Sequence, residues 1–254
     1  PRWGKATVEK IAVNAVMAGA LPTYMPVLIK AVEAMLDPMA DYGTHSVSTG
    51  SWAPHWIING PIRHDLNLNS GSGMLSPGDM ANSAIGRAML LVIRNIGGAQ
   101  KGIEDMGVLG NPGKYAAVMA ENEEDSPWQP MHTEAGFDAG ASTISVFFPN
   151  SYSQVWPYAT NAKGVLNAIT SNVIPGRTGL FCVVMNPANA KLLADEGWDA
   201  ALADCQDVMH VASPFPVLDP QNHDDLIIPA RDGALRVLAA AAREQDLLYI
   251  PGVA

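Results

Sequence analysis

Apolar residues recur at positions 81, 84, 85, 88, 89, 92 and 96, the rhythm of a helix with one face in a core. Ser76-Pro77 ahead of Asp79 supplies a capping hydroxyl, a pre-set φ and a first-turn acid, and Gly97-Gly98 closes the segment. Two helices are expected before it. Thr7 caps one through KIAVNAVMA, ended by Gly19, and PVLIKAVEAML forms another, stopped at Asp37-Pro38. The second is so apolar that burial on most sides is expected. Residues 41–75 change character, being rich in His, Ser, Asn, Gly and Trp. They hold one strand-like run, Trp56-Ile57-Ile58, that ends in Asn59-Gly60-Pro61.

After residue 114, short apolar runs alternate with helical patterns. Strands are expected at 116–120, 143–148, 180–185, 207–212, 226–229 and 247–251, and helices at 161–171, 187–196 and 231–243. Such alternation predicts an α/β fold, a mostly parallel sheet flanked by helices. With no internal repeat or low-complexity linker, a single α/β domain over residues 1–254 is expected, with a lobe boundary only near 121–140.

Composition narrows the partners. Fifteen basic against twenty-five acidic residues give a net charge of −10, which repels phosphate backbones and anionic lipid surfaces. Nucleic acid and membrane are therefore set aside in favour of a small-molecule substrate. The apolar runs fall short of the ~20 residues that span a bilayer, and no charged-then-apolar leader opens the chain. Two cysteines, Cys182 inside an apolar run and Cys205 in a helical stretch, do not form a disulfide framework. A reducing, cytoplasmic setting is expected.

In α/β sheets, catalytic groups gather on the loops that follow the carboxyl ends of strands. Two segments have that form. In KYAAVMAENEEDSPWQPMHTE an apolar run drives into Glu121, Asn122, Glu123, Glu124 and Asp125, in a chain that is only 16% charged. If the strand continues, Glu121 and Glu123 share one face, and two close carboxylates cannot both ionise freely, which suits acid/base work. The Pro127–Pro130 turn returns His132 and Glu134, so that Glu121, Glu124, His132 and Glu134 could together hold a divalent metal. A solvated acidic loop is the plain alternative. The second segment, IINGPIRHDLNLNSGSG, offers Asn59, Arg63, Asn69, Gly71 and Gly73 ahead of a capped helix. A helix N-terminus attracts anions and Arg63 could fork onto a carboxylate or phosphate. The plain alternative there is a structural loop.

His45, His55 and His64 lie within twenty residues and could supply ligands or a base, though each single histidine also suits a structural role. His210 reads as a core histidine, His223 as solvated and Cys182 as an inert mid-strand thiol. There is no GxxxxGK[ST], HExxH, GxSxG or paired CxxC.

The runs ATVEKIAVNAVMAGALPTYMPVLIKAVEAM, IINGPIR, NSAIGRAMLLVIRNIGG and LGNPGKYAAVMAENEEDSPWQPMH resemble a bacterial family whose domain accompanies the UGSC/CGSC-motif (seleno)proteins, fused behind them or encoded beside them. The likeness covers roughly residues 5 to 250. No UGSC or CGSC motif occurs here, so the resemblance implies a multi-subunit enzyme whose protein partner brings the thiol, selenol or metal. Three functions follow as expectations. The first is a subunit of a heteromeric redox enzyme. The second is a self-contained lyase, hydratase or hydrolase, as a homo-oligomer, with Glu121, Glu123 and His132 as catalytic groups and Asn59, Arg63, Asn69, Gly71, Gly73 and Asn122 holding substrate. The third is a non-catalytic scaffold that uses helix 24–36 and aromatic loops as an interface.

Overall fold

The computed structural model describes residues 2–172 and 182–202. The chain divides into two compact units, Pro1–Glu124 with Gln129–Tyr152, and Asp125–Trp128 with Ser153–Ala254. Their first crossing falls inside the acid-rich stretch.

The first unit opens with α1 (Val8–Met17), where the Thr7 hydroxyl accepts from the Lys10 amide as expected of an N-cap. Helix α2 (Met25–Leu36) follows, and it is amphipathic rather than buried all round. Val27, Leu28, Ala31, Val32 and Met35 face the core while Leu36 is exposed. The charged Lys30 and Glu33 lie outside, three residues apart, where they pair with each other. A short α3 (Tyr42–Val47) leads to β1 (His55–Asn59), α4 (Ile62–Asp65) and the long α5 (Met80–Asn95).

Helix α5 starts later than its Ser-Pro signal implies. Gly73 has φ +75° and its carbonyl accepts from the Ser76 amide at 2.6 Å, so Ser76-Pro77 belongs to a turn. Asp79 is the N-cap residue, yet its carboxylate takes a hydrogen bond from Asn69 Nδ2 and caps nothing. Strand β2 (Val118–Ala120), helix α6 (Met131–Glu134) and strand β3 (Thr143–Phe147) complete the unit.

The strands form a three-stranded sheet in the order β2-β1-β3. β1 pairs parallel with β2 and antiparallel with β3. The fold thus mixes helices with a small mixed sheet, and a mostly parallel sheet is not what the described residues form. Period-two alternation gives the sheet two distinct faces. Trp56, Ile58, Val118, Ala120, Ile144 and Val146 pack with α1, α2 and α5 in one apolar cluster. His55, Ile57, Asn59, Met119, Thr143 and Ser145 point to the other face. Gly86 lets α5 lie against the sheet, because a Cβ there would stand 2.8 Å from the Ala116 Cα.

In the second unit, α7 (Ala162–Asn172) packs on α8 (Pro187–Leu202) through Ala162, Val165 and Leu193, with Trp128 at the edge. Gly197, at φ 75° and ψ 165°, interrupts α8 where the sequence places the helix end. Cys182 is exposed and residues 182–186 form no strand, against the expectation for 180–185. The strands expected at 207–212, 226–229 and 247–251, the helix at 231–243, and Cys205, His210 and His223 lie outside the described residues.

Gly86→Leu should destabilise the protein by about 1–3 kcal/mol or more, since the new side chain must displace backbone at Ala116. The midpoint of urea unfolding measures this, and an unchanged midpoint would contradict the close packing of α5 on β2.

Candidate functional site

The carboxyl ends of the two parallel strands meet one row of side chains. The Glu121 amide donates to the Ile58 carbonyl at 3.1 Å, which carries the β1–β2 ladder one step past Ala120. Asn59 lies opposite Thr143 in the antiparallel pair. Glu121, Asn59 and Thr143 therefore sit side by side on the face away from the helices. Asn59 is fully buried, and its Nδ2 donates to Glu121 Oε2 and, at 3.0 Å, to Glu123 Oε1. One amide thus bridges the two carboxylates that the sequence places on one face. The Gly60 amide adds a 2.7 Å hydrogen bond to Glu123 Oε1, and the Met131 amide at the start of α6 donates to Glu121 Oε2 at 2.9 Å. Gly60 has φ +83°, and a Cβ would fall 2.1 Å from the Ala141 carbonyl oxygen, so no other residue fits this turn.

Arg63, on α4, is 4% exposed, and its guanidinium explains the run of acids. Nε donates to the Gly60 carbonyl at 3.0 Å. Nη1 donates to the Glu121 carbonyl at 2.7 Å and to Glu124 Oε2 at 3.1 Å, and Nη2 meets Glu124 Oε1 and Glu123 Oε2, both at 2.9 Å. All five guanidinium donors are engaged. Burial works against the charged form, but the bond to Glu124 and the charges of Glu123, Glu124 and Glu121 outweigh it and raise the Arg63 pKa. The expected role of Arg63 as an anion fork is overturned: it holds the site together and has no donor left for a substrate. Glu124 is half exposed and also contacts His64 Nε2 at 3.0 Å. The Arg63 hydrogen bond holds its carboxyl down at about 2.

His132, on α6, is buried. Its Nε2 lies 3.4 Å from the Ala139 carbonyl, a contact that suits the tautomer with the proton on Nε2. Nδ1 lies 3.9 Å from Glu123 Oε1, with no hydrogen-bond partner of its own. Asn59 Oδ1 and Thr143 Oγ1 are buried and unpartnered as well. Buried polar atoms are rarely left so.

Glu121, Glu123, His132, Asn59 and Arg63 are thus brought together, with Asn122 half-buried between the two acids. Asn69, Gly71 and Gly73 serve the loop instead. Asn69 Nδ2 donates to the Ser72 carbonyl and Asp79, Oδ1 accepts from the Gly71 amide, and Asn82 clasps the Asn69 backbone to the edge of β2. The expected anion cradle at this helix start is a self-satisfied turn. Glu134 is exposed, and among the described residues no group of three or more His, Cys, Asp or Glu side chains could hold a metal ion. The expected Glu121, Glu124, His132 and Glu134 ligand set is not gathered into one group here.

The three upstream histidines do not converge. His45 stacks on Phe148 at 4.5 Å and His64 joins Glu124. His55 stacks on Phe147 at 4.9 Å, and burial lowers its pKa to about 4. Two members of the row, Gly60 and Thr143, carry no sequence signal as site residues. An Asn-Gly-Pro turn reads as punctuation, and Thr143 reads as the start of a strand.

Arg63→Met should cost about 3–5 kcal/mol, because Glu123 and the Glu121 carbonyl lose their partner, and urea unfolding measures it. Stability should also depend on acid through Glu124. Its folded pKa lies below the ordinary 4.5, so the contribution is complete above pH 4.5 and is lost as pH falls toward 2. Glu124→Gln should remove that part of the pH dependence, and an unaltered acid profile in the variant would refute the pairing.

No protein-family model matches the chain, and no solved structure matches it. A 60-residue stretch, 23% of this chain, is 46% identical to a protein described as "Putative anthocyanidin reductase" from Ginkgo biloba. The match spans 17% of that protein's length.

Proposed function

We propose that the strand-end cluster is the proton-transfer centre of an enzyme that acts on a small polar molecule, of the lyase, hydratase or hydrolase kind. One observation carries the reading. His132 Nδ1 and a Glu123 carboxylate oxygen face each other across 3.9 Å, and with the ring proton on Nε2 both are acceptors with no donor between them. Two facing acceptors repel unless a proton stands between them. The pair is therefore built to receive one from a substrate.

In this scheme His132 Nδ1 takes the proton, the electron pair stays on the substrate atom that released it, and Glu123 stabilises the imidazolium that forms. Asn59 and Gly60 hold Glu123 in place, and Arg63 holds all three. Asn59 Nδ2 and the Gly60 amide already serve carboxylates, so they do not also supply an oxyanion hole. The net charge and the two cysteines favour a cytoplasmic protein.

A second reading keeps the likeness to the UGSC/CGSC-associated family, in which this chain is a subunit of a redox enzyme with a thiol- or selenol-bearing partner. Exposed Val8, Val13, Val16 and Met17 on α1, and Val108 and Leu109 beyond α5, favour assembly.

Turnover of a panel of small hydroxy, keto and amino compounds, followed by NMR, tests the first reading. Glu123→Gln and His132→Gln should each lower any turnover found by about 10²–10⁴-fold. A fully active double variant, or no turnover of any compound by a chain free of partners, would reject it. Turnover only with a co-purifying CGSC-type protein favours the second.

A further inference from the structure

The atoms left over at this site define what it accepts. Donors that could hold an anion are all engaged: the Arg63 guanidinium, the Asn59 Nδ2, and the Gly60 and Met131 amides. What remains can accept, and of the three remaining atoms only the Thr143 hydroxyl can also donate without a change of tautomer. Asn59 Oδ1 belongs to a side chain with no exposure, and His132 Nδ1 to a side chain 1% exposed. Thr143 Oγ1, beside Asn59 in register, is equally unpartnered. Each lies within one neighbour of Glu123: Asn59 bonds to it, His132 faces it, and Thr143 adjoins Asn59. Three carboxylates, those of Glu121, Glu123 and Glu124, stand against one guanidinium. The cluster is therefore acidic, and apart from the Thr143 hydroxyl the donors named here are engaged.

Resting on the reading of this cluster as a substrate site, we propose that it binds the protonated amine of its small-molecule substrate. An ammonium group brings a positive charge and several N–H donors with no acceptor, which complements an acidic cluster with unpartnered acceptor atoms. A carboxylate or phosphate would meet uncompensated negative charge. A metal ion would lack a three-ligand group among the described residues. A water molecule offers only two donors and no charge, and is the competing occupant.

The test titrates the full chain with butylammonium, 1-butanol and butyrate, using calorimetry and nitrogen NMR of the histidine rings. Butylammonium should bind saturably and shift His132 Nδ1, with the alcohol and the acid at least ~10-fold weaker. Glu123→Gln should weaken the amine by at least ~10-fold. Thr143→Val keeps the test decisive should that variant fail to fold. It removes an unpartnered hydroxyl, so it should raise the melting temperature of the ligand-free protein and yet weaken amine binding.

Butyrate binding as tightly as the amine overturns the proposal. So does the absence of saturable amine binding with an unmoved His132 signal, the result expected of a site that holds only water. Unchanged amine affinity in Thr143→Val does the same. The two readings fail separately. Amine binding with turnover indifferent to Glu123 and His132 sinks the proton-transfer reading alone. Glu123-dependent turnover of a substrate without an amine sinks this one alone.

Discussion

The strand-end geometry depends on one buried guanidinium. Arg63 reaches the Gly60 carbonyl after β1, the Glu121 carbonyl after β2, and the carboxylates of Glu123 and Glu124. These groups come from two segments some sixty residues apart. A charge placed at 4% exposure is costly unless every donor is matched, and here every donor is. The match also works in reverse. Without Arg63 the end of β2 would carry close acids held to β1 only by neutral donors, the Asn59 amide and the Gly60 backbone. The acid run is thus neither a solvated loop nor a free catalytic set. It is the counter-charge of a clamp.

That clamp divides the labour among chemically similar residues. Glu124 is held down at about 2 and ties Arg63 to solvent through a half-exposed carboxylate. Glu121 fastens the row to α6 through the Met131 amide. Only Glu123 combines a fixed position with an unsatisfied neighbour, His132. At 3.9 Å the two atoms lie outside hydrogen-bond distance, so Nδ1 and Oε1 would have to close by roughly 1 Å to share a proton. Glu121 and Asn59 Nδ2 are needed to hold Glu123 there, although they have no spare valence for chemistry.

Local patterns in the sequence announced the elements well. The Thr7 cap, the helical rhythm from 81 to 96, the break at Asp37-Pro38 and the strands around 56–58, 118–120 and 143–147 all follow from neighbouring residues. What stayed hidden was pairing. Whether β3 runs parallel or antiparallel to β1 is set by the connection and by burial of both faces, and TISVF reads the same either way. The site was half legible for the same reason. Glu121, Glu123, His132, Asn59 and Arg63, which the sequence places in two short clusters, do come together in space, yet what Arg63 holds could be told only by counting its donors there. Asn69 shows the converse: beside two glycines and a helix start it mimics an anion cradle, while its amide is spent on Ser72 and Asp79.

The unpartnered atoms carry the argument for function furthest. Every other polar group of the row is matched with care, including backbone amides of Gly60 and Met131 that a looser loop would leave to water. Against that background Asn59 Oδ1, Thr143 Oγ1 and His132 Nδ1 stand out, each at a free-energy cost of about 1–3 kcal/mol. Stability alone would be better served by an apolar residue at 143 and at 132. Tyr42 Oη, both ring nitrogens of His55 and Trp56 Nε1 are buried without partners as well, so what distinguishes these three atoms is their nearness to Glu123, which a buried arginine holds still.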